Sequence, residues 1–286
     1  MKPLPRWGHN DLDGMFESPH NAPPKWLRIL TTLYMYTAYL DETGQQANGW
    51  IFVAGFLGNK EQWDNFVPRW QKALGPQRKR LHMNELRWKK PATKKLLAAL
   101  GPVPEACGLK AVAGGVKYSD YEDLIEGTIV EKLSEGYLWS LFPLVLNIIK
   151  YIPADEGVEL ILGAQAEYKE RSLDFLALMA KTIVEDPIYL TSRTPGWLSK
   201  LAKWGFVPPE STILLDPSDY YAYALAHYHQ DPTSQRTEWC TPILDAEHGM
   251  PYIGRILSRD EIRGQITRGI EKLLLEGIPL QGIPLR

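Results

Sequence analysis

Three groups of acidic residues, far apart in the sequence, carry the chemistry this chain could perform. Asp41 and Glu42 stand side by side in Tyr39-Leu40-Asp41-Glu42-Thr43-Gly44, at the end of an apolar run. His82 and Glu85 lie three residues apart in Leu81-His82-Met83-Asn84-Glu85-Leu86, and Asp216 and Asp219 three apart in Leu215-Asp216-Pro217-Ser218-Asp219. Adjacent carboxylates at a strand exit cost stability unless water solvates them or they hold a cation. A His-x-x-Glu pair shares one face of a helix and suits a metal or a proton transfer. Each group also has a plainer reading. The first is then a polar turn closing a strand, and the second a surface turn. The third is a helix start, with Asp216 as N-cap, Pro217 at the first helical position and Asp219 at the positive end of the dipole. His227 and His229 are two apart, on different helical faces, and read as ordinary surface residues.

The elements that must position these groups follow from periodicity. Tyr34 to Leu40 alternates and is rich in aromatic and β-branched types, a strand that Asp41 and Glu42 close. Trp50 to Leu57 is its hairpin return. Trp63, Phe66, Val67 and Trp70 have helical spacing within Lys60 to Leu74. Leu81 to Arg87 and Ala92 to Leu100 read as helices separated by Pro91. A strand is expected at Gly108 to Val116, then a helix opened by a Ser119–Glu122 capping box. A longer helix is expected from about Ile129 to Ile149, kinked or broken by Pro143. Val158 to Leu162 is a buried strand, followed by a helix from about Glu167 to Val184. Short strands are expected at Lys203 to Val207 and Thr212 to Leu215. Helices follow at Pro217 to His229 and Arg259 to Glu276. Strands alternating with helices after an opening hairpin predict an α/β fold, a mixed central sheet with helices on its faces. The Gly-Ile-Pro-Leu pair at Gly277 to Leu285 is a local echo and no repeat architecture.

Composition narrows the class. The 286 residues, 44% of them hydrophobic, suffice for a sizeable core. Two cysteines make no disulfide framework and fit a reducing compartment. Met1 to Pro24 is polar and proline-rich, unlike a secretion signal, and Leu138 to Ile152 is too short and interrupted to span a membrane. A cytoplasmic location with no membrane partner is expected.

The net charge of −2 hides an asymmetry: Lys72 to Lys95 holds nine basic residues and one acid, a charge of +8 that leaves −10 for the rest. Arg78, Lys79, Arg80, Arg87, Lys89 and Lys90 are the candidate phosphate-facing cations, with Trp70 and Trp88 placed to stack on unpaired bases. A smaller set, Arg193, Trp197, Lys200, Lys203 and Trp204, lies in the acid-free stretch Pro187 to Pro209. A charge run is also what a solvated face looks like.

Taken in order, the three acidic motifs resemble those of the bacterial and phage family of unknown function numbered 3800, described as ribonuclease-H-like. Members typically begin with a strand ending Tyr-x-Asp-Glu-Ser-Gly, carry a mid-chain His-x-x-Glu and close with a Leu-Gln-x-Ala-Asp-x-x-Ala-Tyr helix. Tyr39 to Gly44, His82 with Glu85, and Leu215 to Tyr223 are the matching segments. The resemblance spans Tyr34 to His229. It implies a ribonuclease-H-like domain (34–230); an N-terminal arm (1–33) and a C-terminal helical extension packed on the domain (231–286) are expected outside it. It further implies a metal-dependent nuclease acting on DNA or RNA through a carboxylate cage for Mg²⁺ or Mn²⁺. Asp41, Glu85 and Asp219 are the implied metal ligands, Glu42 a ligand or salt-bridge partner, and His82 the group orienting water or a ligand. One acid is missing. Members often carry a carboxylate just after the strand aligned with Val158 to Leu162, where this chain has Gly163-Ala164-Gln165. If that position is a vacated ligand site, Gly163→Asp restores a ligand. The alternative is a catalytically degenerate module that binds nucleic acid or a protein partner. A sugar hydrolase with paired carboxylates fits the basic surroundings of Glu85 less well.

Overall fold

The structure, a computed structural model, describes residues 35–43, 49–125, 136–153, 155–163, 200–249, 253–264 and 266–267. Strand β1 (Met35–Thr43) pairs antiparallel with β2 (Trp50–Asn59), which pairs antiparallel with β3 (Lys110–Lys117). On the other side of β1 run two parallel strands, β4 (Gly157–Gly163) and then β5 (Leu201–Val207). A sixth strand, β6 (Ile253–Leu257), lies parallel to β3, giving the order β5-β4-β1-β2-β3-β6. This is an α/β protein whose six-stranded mixed sheet holds β1 in its interior.

Both faces of the sheet are covered, which is why β2 is buried along nearly its whole length rather than alternating. One face carries α1 (Lys60–Leu74), α2 (Pro91–Leu100), α6 (Asp216–Gln230) and α7 (Gln235–Gly249), packed around Phe52, Phe56, Phe66, Trp70, Tyr220 and Tyr221. The opposite face carries α5 (Gly136–Tyr151), whose Leu141, Leu144, Val145 and Ile148 meet Ala38, Leu40, Val53 and Leu57. The short helices α3 (Val103–Ala106) and α4 (Tyr118–Ile125) flank β3 in sequence. Helix α1 starts where Asn59 and Gln62 form a reciprocal capping box, each side chain accepting the other's backbone N–H at 2.9 Å. Its buried Trp63, Phe66, Trp70 and Leu74 are the stripe that the spacing predicts. Among the described residues no helix is long and apolar enough to cross a membrane.

Several expectations are corrected. Leu81 to Arg87 is not a helix: only Met83–Glu85 makes a 3₁₀ turn, and His82 before it is extended. Thr212 to Leu215 is not a strand but a 3₁₀ turn over Ile213–Leu215, with Thr212 capping it. Pro143 neither breaks nor ends α5, which is helical from Gly136 to Tyr151. Residues after 230 are not purely helical, since β6 extends the sheet beside β3. Helix α3 has no counterpart among the expected elements, and α7 lies within the expected helical extension. The arm before residue 35, the expected helix from Glu167 to Val184 and the start of the one from Ile129 lie outside the described residues, as does most of the last helix, helical at 259–264 and 266–267.

Candidate active site at the junction of β1 and α6

Strand alternation fixes the direction of Asp41. It shares a face with Tyr39, which packs edge-on against Trp63 of α1 with ring centroids 4.8 Å apart. The parallel register that pairs Leu40 with Leu162 brings Gly163 beside Asp41. A Cβ on Gly163 would lie 2.6 Å from Asp41 Oδ1, so the absent side chain is the room the carboxylate occupies. Oδ1 also accepts the Glu42 backbone N–H at 3.0 Å. Helix α6 is held over the same strand: Ser218 Oγ donates to the Tyr39 carbonyl at 2.7 Å, and Gly55 leaves space for it, since a Cβ there would be 2.7 Å from that hydroxyl. Asp219, the next residue, therefore sits above the end of β1. Burial first and the Asp219 charge second raise the Asp41 pKa to about 7, against the Glu42 amide, His82 and Arg80, which lower it.

The segment that carries His82 is moored to the first turn of α6. Asp219 Oδ2 accepts the Met83 N–H at 2.9 Å and pairs with His82 Nδ1 at 3.0 Å. An ionised carboxylate only accepts, so Nδ1 carries the proton, and this bond, followed by the Asp219 and Glu85 charges, raises the His82 pKa. Asp216, which the sequence presents as an N-cap, is instead already helical, with Leu215 in the cap position. Its fully buried carboxylate accepts from Arg80 Nε, from the Leu81 N–H at 2.8 Å and from Trp70 Nε1 at 3.3 Å. Burial still raises its pKa, with those donors opposing.

The structure thus brings Asp41, Asp219 and His82 together. Glu85 is exposed and lies within electrostatic reach of His82. Glu42 points away. It is one residue from Asp41 along the strand, opposite Val53, and so shares the α5 face with Leu40. Its Oε1 is buried without a hydrogen-bond partner among the described residues, and burial, then the Asp41 charge, pushes its pKa up to about 8. Glu42, expected as a ligand or a salt-bridge partner, therefore stands on the other side of the sheet from Asp41.

Of the expected phosphate-facing cations, Arg78, Lys79, Arg87, Lys89 and Lys90 are exposed. Arg80 is not available, being committed to Asp216 and to the Pro209 carbonyl. Neither tryptophan is open for base stacking as expected. Trp70 is fully buried in the core, and half-buried Trp88 stacks on Tyr223 at 5.3 Å and 7° with Arg236 5.5 Å from its ring. In the smaller basic set, Lys200 is buried on the Ile149 and Ile152 carbonyls at the end of α5, and Lys203 pairs with Glu159 at 2.7 Å. Arg193 and Trp197 lie outside the described residues. His227 and His229 are not ordinary surface residues: His227 is buried against Tyr223, its pKa lowered by burial to about 4, and half-buried His229 packs against both Trp50 and Phe52.

Asp41 and Asp219 offer hard carboxylate oxygens of the kind Mg²⁺ and Mn²⁺ prefer. Among the described residues no group of three or more His, Cys, Asp and Glu side chains is arranged to hold a metal ion. The donors fit such a cation in type, as a pair rather than a closed cage. Comparison of the chain with known family models and with curated proteins finds no match. Sequence reasoning missed the Arg80–Asp216 pair, whose members are 136 positions apart and each have an ordinary local explanation.

Proposed function

We propose that the chain is a metal-dependent nuclease with a ribonuclease-H-like domain, hydrolysing phosphodiesters of DNA or RNA at the Asp41–Asp219 site. The observation that carries this reading is the meeting of two carboxylates from different elements, one at the end of an interior strand and one in the first turn of a helix. The strand order supports it as well: an antiparallel β1-β2-β3 with β4 and β5 added parallel on the far side of β1. A divalent cation bound between these carboxylates would activate water for attack on phosphorus and stabilise the leaving oxygen. Asp41 and Asp219 bind the cation, His82 orients Asp219, and exposed Arg87, Lys89 and Lys90 hold the phosphate backbone.

The test is cleavage of single- and double-stranded DNA and RNA with Mn²⁺, Mg²⁺ or chelator, in wild type, Asp41→Asn and Asp219→Asn. Cleavage that needs the metal and disappears in both variants is the expected result. Mn²⁺ should serve better than Mg²⁺, which tolerates an incomplete shell poorly. Cleavage unaffected by either substitution would remove the site. The second reading is a degenerate module that binds nucleic acid or a protein without cutting. It is favoured by the want of a third ligand among the described residues.

A further inference from the structure

The segment from Arg80 to Glu85 has one 3₁₀ turn of its own, Met83–Glu85, and nothing local to fix where His82 points. Its position comes from α6. In extended chain, alternate N–H groups face the same side, and here those of Leu81 and Met83 are taken by Asp216 Oδ2 and Asp219 Oδ2 at 2.8 and 2.9 Å. Two carboxylates one helical turn apart thus receive the segment much as a neighbouring strand would. Arg80 completes the attachment, with Nε on Asp216 Oδ1 and a terminal nitrogen on the Pro209 carbonyl. Position 216 needs a carboxylate for this. Its two oxygens serve three donors, from Arg80, Leu81 and Trp70, and an amide would turn an NH₂ toward one of them.

We propose that Asp216 is a positioning residue for the Asp41–Asp219 site: through Arg80 and the Leu81 amide it sets where His82 meets Asp219. With Oδ2 of Asp219 occupied by His82 and Met83, Oδ1 is the oxygen left for a cation. The relevance to a cation rests on the nuclease reading; the attachment itself does not.

The test uses the full chain without metal, comparing wild type, Asp216→Asn and Arg80→Lys by amide hydrogen exchange and by the His82 Nδ1–H signal at one fixed pH. Arg80→Lys keeps the positive charge but loses the planar fork that reaches Asp216 and Pro209 together. Both variants should exchange the Leu81 amide about tenfold faster or more. The Met83 amide should follow and the His82 Nδ1–H signal should weaken, although Asp219 is untouched, while the Ala54 and Val112 amides in the sheet stay protected. Met83 and His82 behaving as in wild type would overturn the proposal. If Asp216→Asn loses sheet protection and so fails to fold, Arg80→Lys decides alone. A Mn²⁺ titration separates the two claims. Affinity falling about tenfold in Arg80→Lys supports positioning of a metal site, and unchanged affinity beside a loosened Met83 overturns it. No Mn²⁺ binding by wild type overturns the nuclease reading and the active-site role with it, leaving the amide data to decide the attachment.

Discussion

Asp216 and Asp219 lie one helical turn apart on α6 and accept from the same short segment, yet they do different things. Asp216 has no exposed surface, and each of its oxygens meets a donor, one of them a guanidinium. Asp219 keeps part of its surface, shares one oxygen between His82 and Met83, and presses its charge on Asp41 across the junction with β1. A buried carboxylate matched by a cation holds structure together; two carboxylates facing one another hold it slightly apart. The second arrangement persists in folded proteins where something other than stability selects it. The difference between the two aspartates, and not the presence of acids as such, marks where chemistry is to be sought.

The largest effect should come from breaking the matched pair. Removing Arg80 by Arg80→Ala leaves the Asp216 carboxylate buried without its counter-charge, which costs about 3–5 kcal/mol. Urea unfolding should show it as a lower midpoint at unchanged slope. A loss below about 1 kcal/mol would mean that the pair is solvated, and the comparison with Asp219 would collapse.

The opposite sign is expected at Asp41. Its folded pKa, about 7, lies above the ordinary carboxylate range, so the native state holds a proton that the unfolded chain has released. Stability therefore falls as pH rises from about 4 to about 7, the window between the two pKa values. Asp41→Asn should remove the Asp41 share of that decline, leaving the share of Glu42, and be more stable than wild type at pH 8 by up to about 4 kcal/mol, with no gain near pH 3. Thermal or urea unfolding at the two pH values checks it. Mn²⁺ should restore stability to wild type above pH 7 and do little below pH 5, because proton and cation compete for the same oxygens. A decline unchanged in Asp41→Asn would assign it to another group, Glu42 first, whose pKa is raised for the same reason.

Gly163 sharpens the picture at a smaller scale. The family resemblance implies that an acid is missing there, with Gly163→Asp as its restoration. Position 163 does lie at Asp41, but a Cβ would stand 2.6 Å from Oδ1, so any side chain displaces the ligand it is meant to assist. Gly163→Ala should weaken Mn²⁺ binding about tenfold, roughly 1.4 kcal/mol, by turning the Asp41 carboxylate. Calorimetric titration showing tighter binding in Gly163→Asp would revive the vacated-ligand reading.

Periodicity and capping make most of the scaffold legible, because α1, β1 and β4 bury residues at regular intervals and β2 is an unbroken apolar run. Helix α1 is legible from the helical spacing of Trp63, Phe66, Val67 and Trp70 within Lys60 to Leu74. The errors fall where tertiary packing overrides local preference. Leu81 to Arg87 has a helical pattern of apolar residues, but Leu81, Met83 and Leu86 are buried by packing of a nearly extended segment whose amides α6 satisfies. Strand β6 is short, and its place beside β3 depends on a long return of the chain that no local signal marks. At the candidate site, residue types leave Asp41, His82 and Asp219 open between structural and chemical roles, and it is the family resemblance that singles them out. The direction of Glu42 is available from strand alternation, since two neighbours on one strand face opposite ways. The commitment of Arg80 is not, because in a run of cations nothing local tells the buried one from its exposed neighbours.

That last point decides how the basic surface is to be tested. Replacing Arg78, Lys79 and Arg80 together would confound phosphate binding with the loss of a buried pair. Arg87, Lys89 and Lys90 are exposed and follow directly on the His82 segment, so Arg87→Gln with Lys89→Gln and Lys90→Gln is the cleaner set. Removing solvent-exposed charges should move stability by no more than about 0.5 kcal/mol each. Binding to nucleic acid should respond more specifically. Each phosphate neutralised releases counterions, so the slope of log K against log salt flattens by about 0.7–0.9 for every phosphate that is no longer neutralised, the lower value for single strands. Fluorescence anisotropy across roughly 50–200 mM salt should therefore show the triple variant with a slope shallower by about 2 if all three residues touch phosphate. The curves should converge at high salt, where the electrostatic contribution is spent. A triple variant with the wild-type slope would separate the basic surface from the Asp41–Asp219 site and leave the latter to act on a smaller phosphodiester.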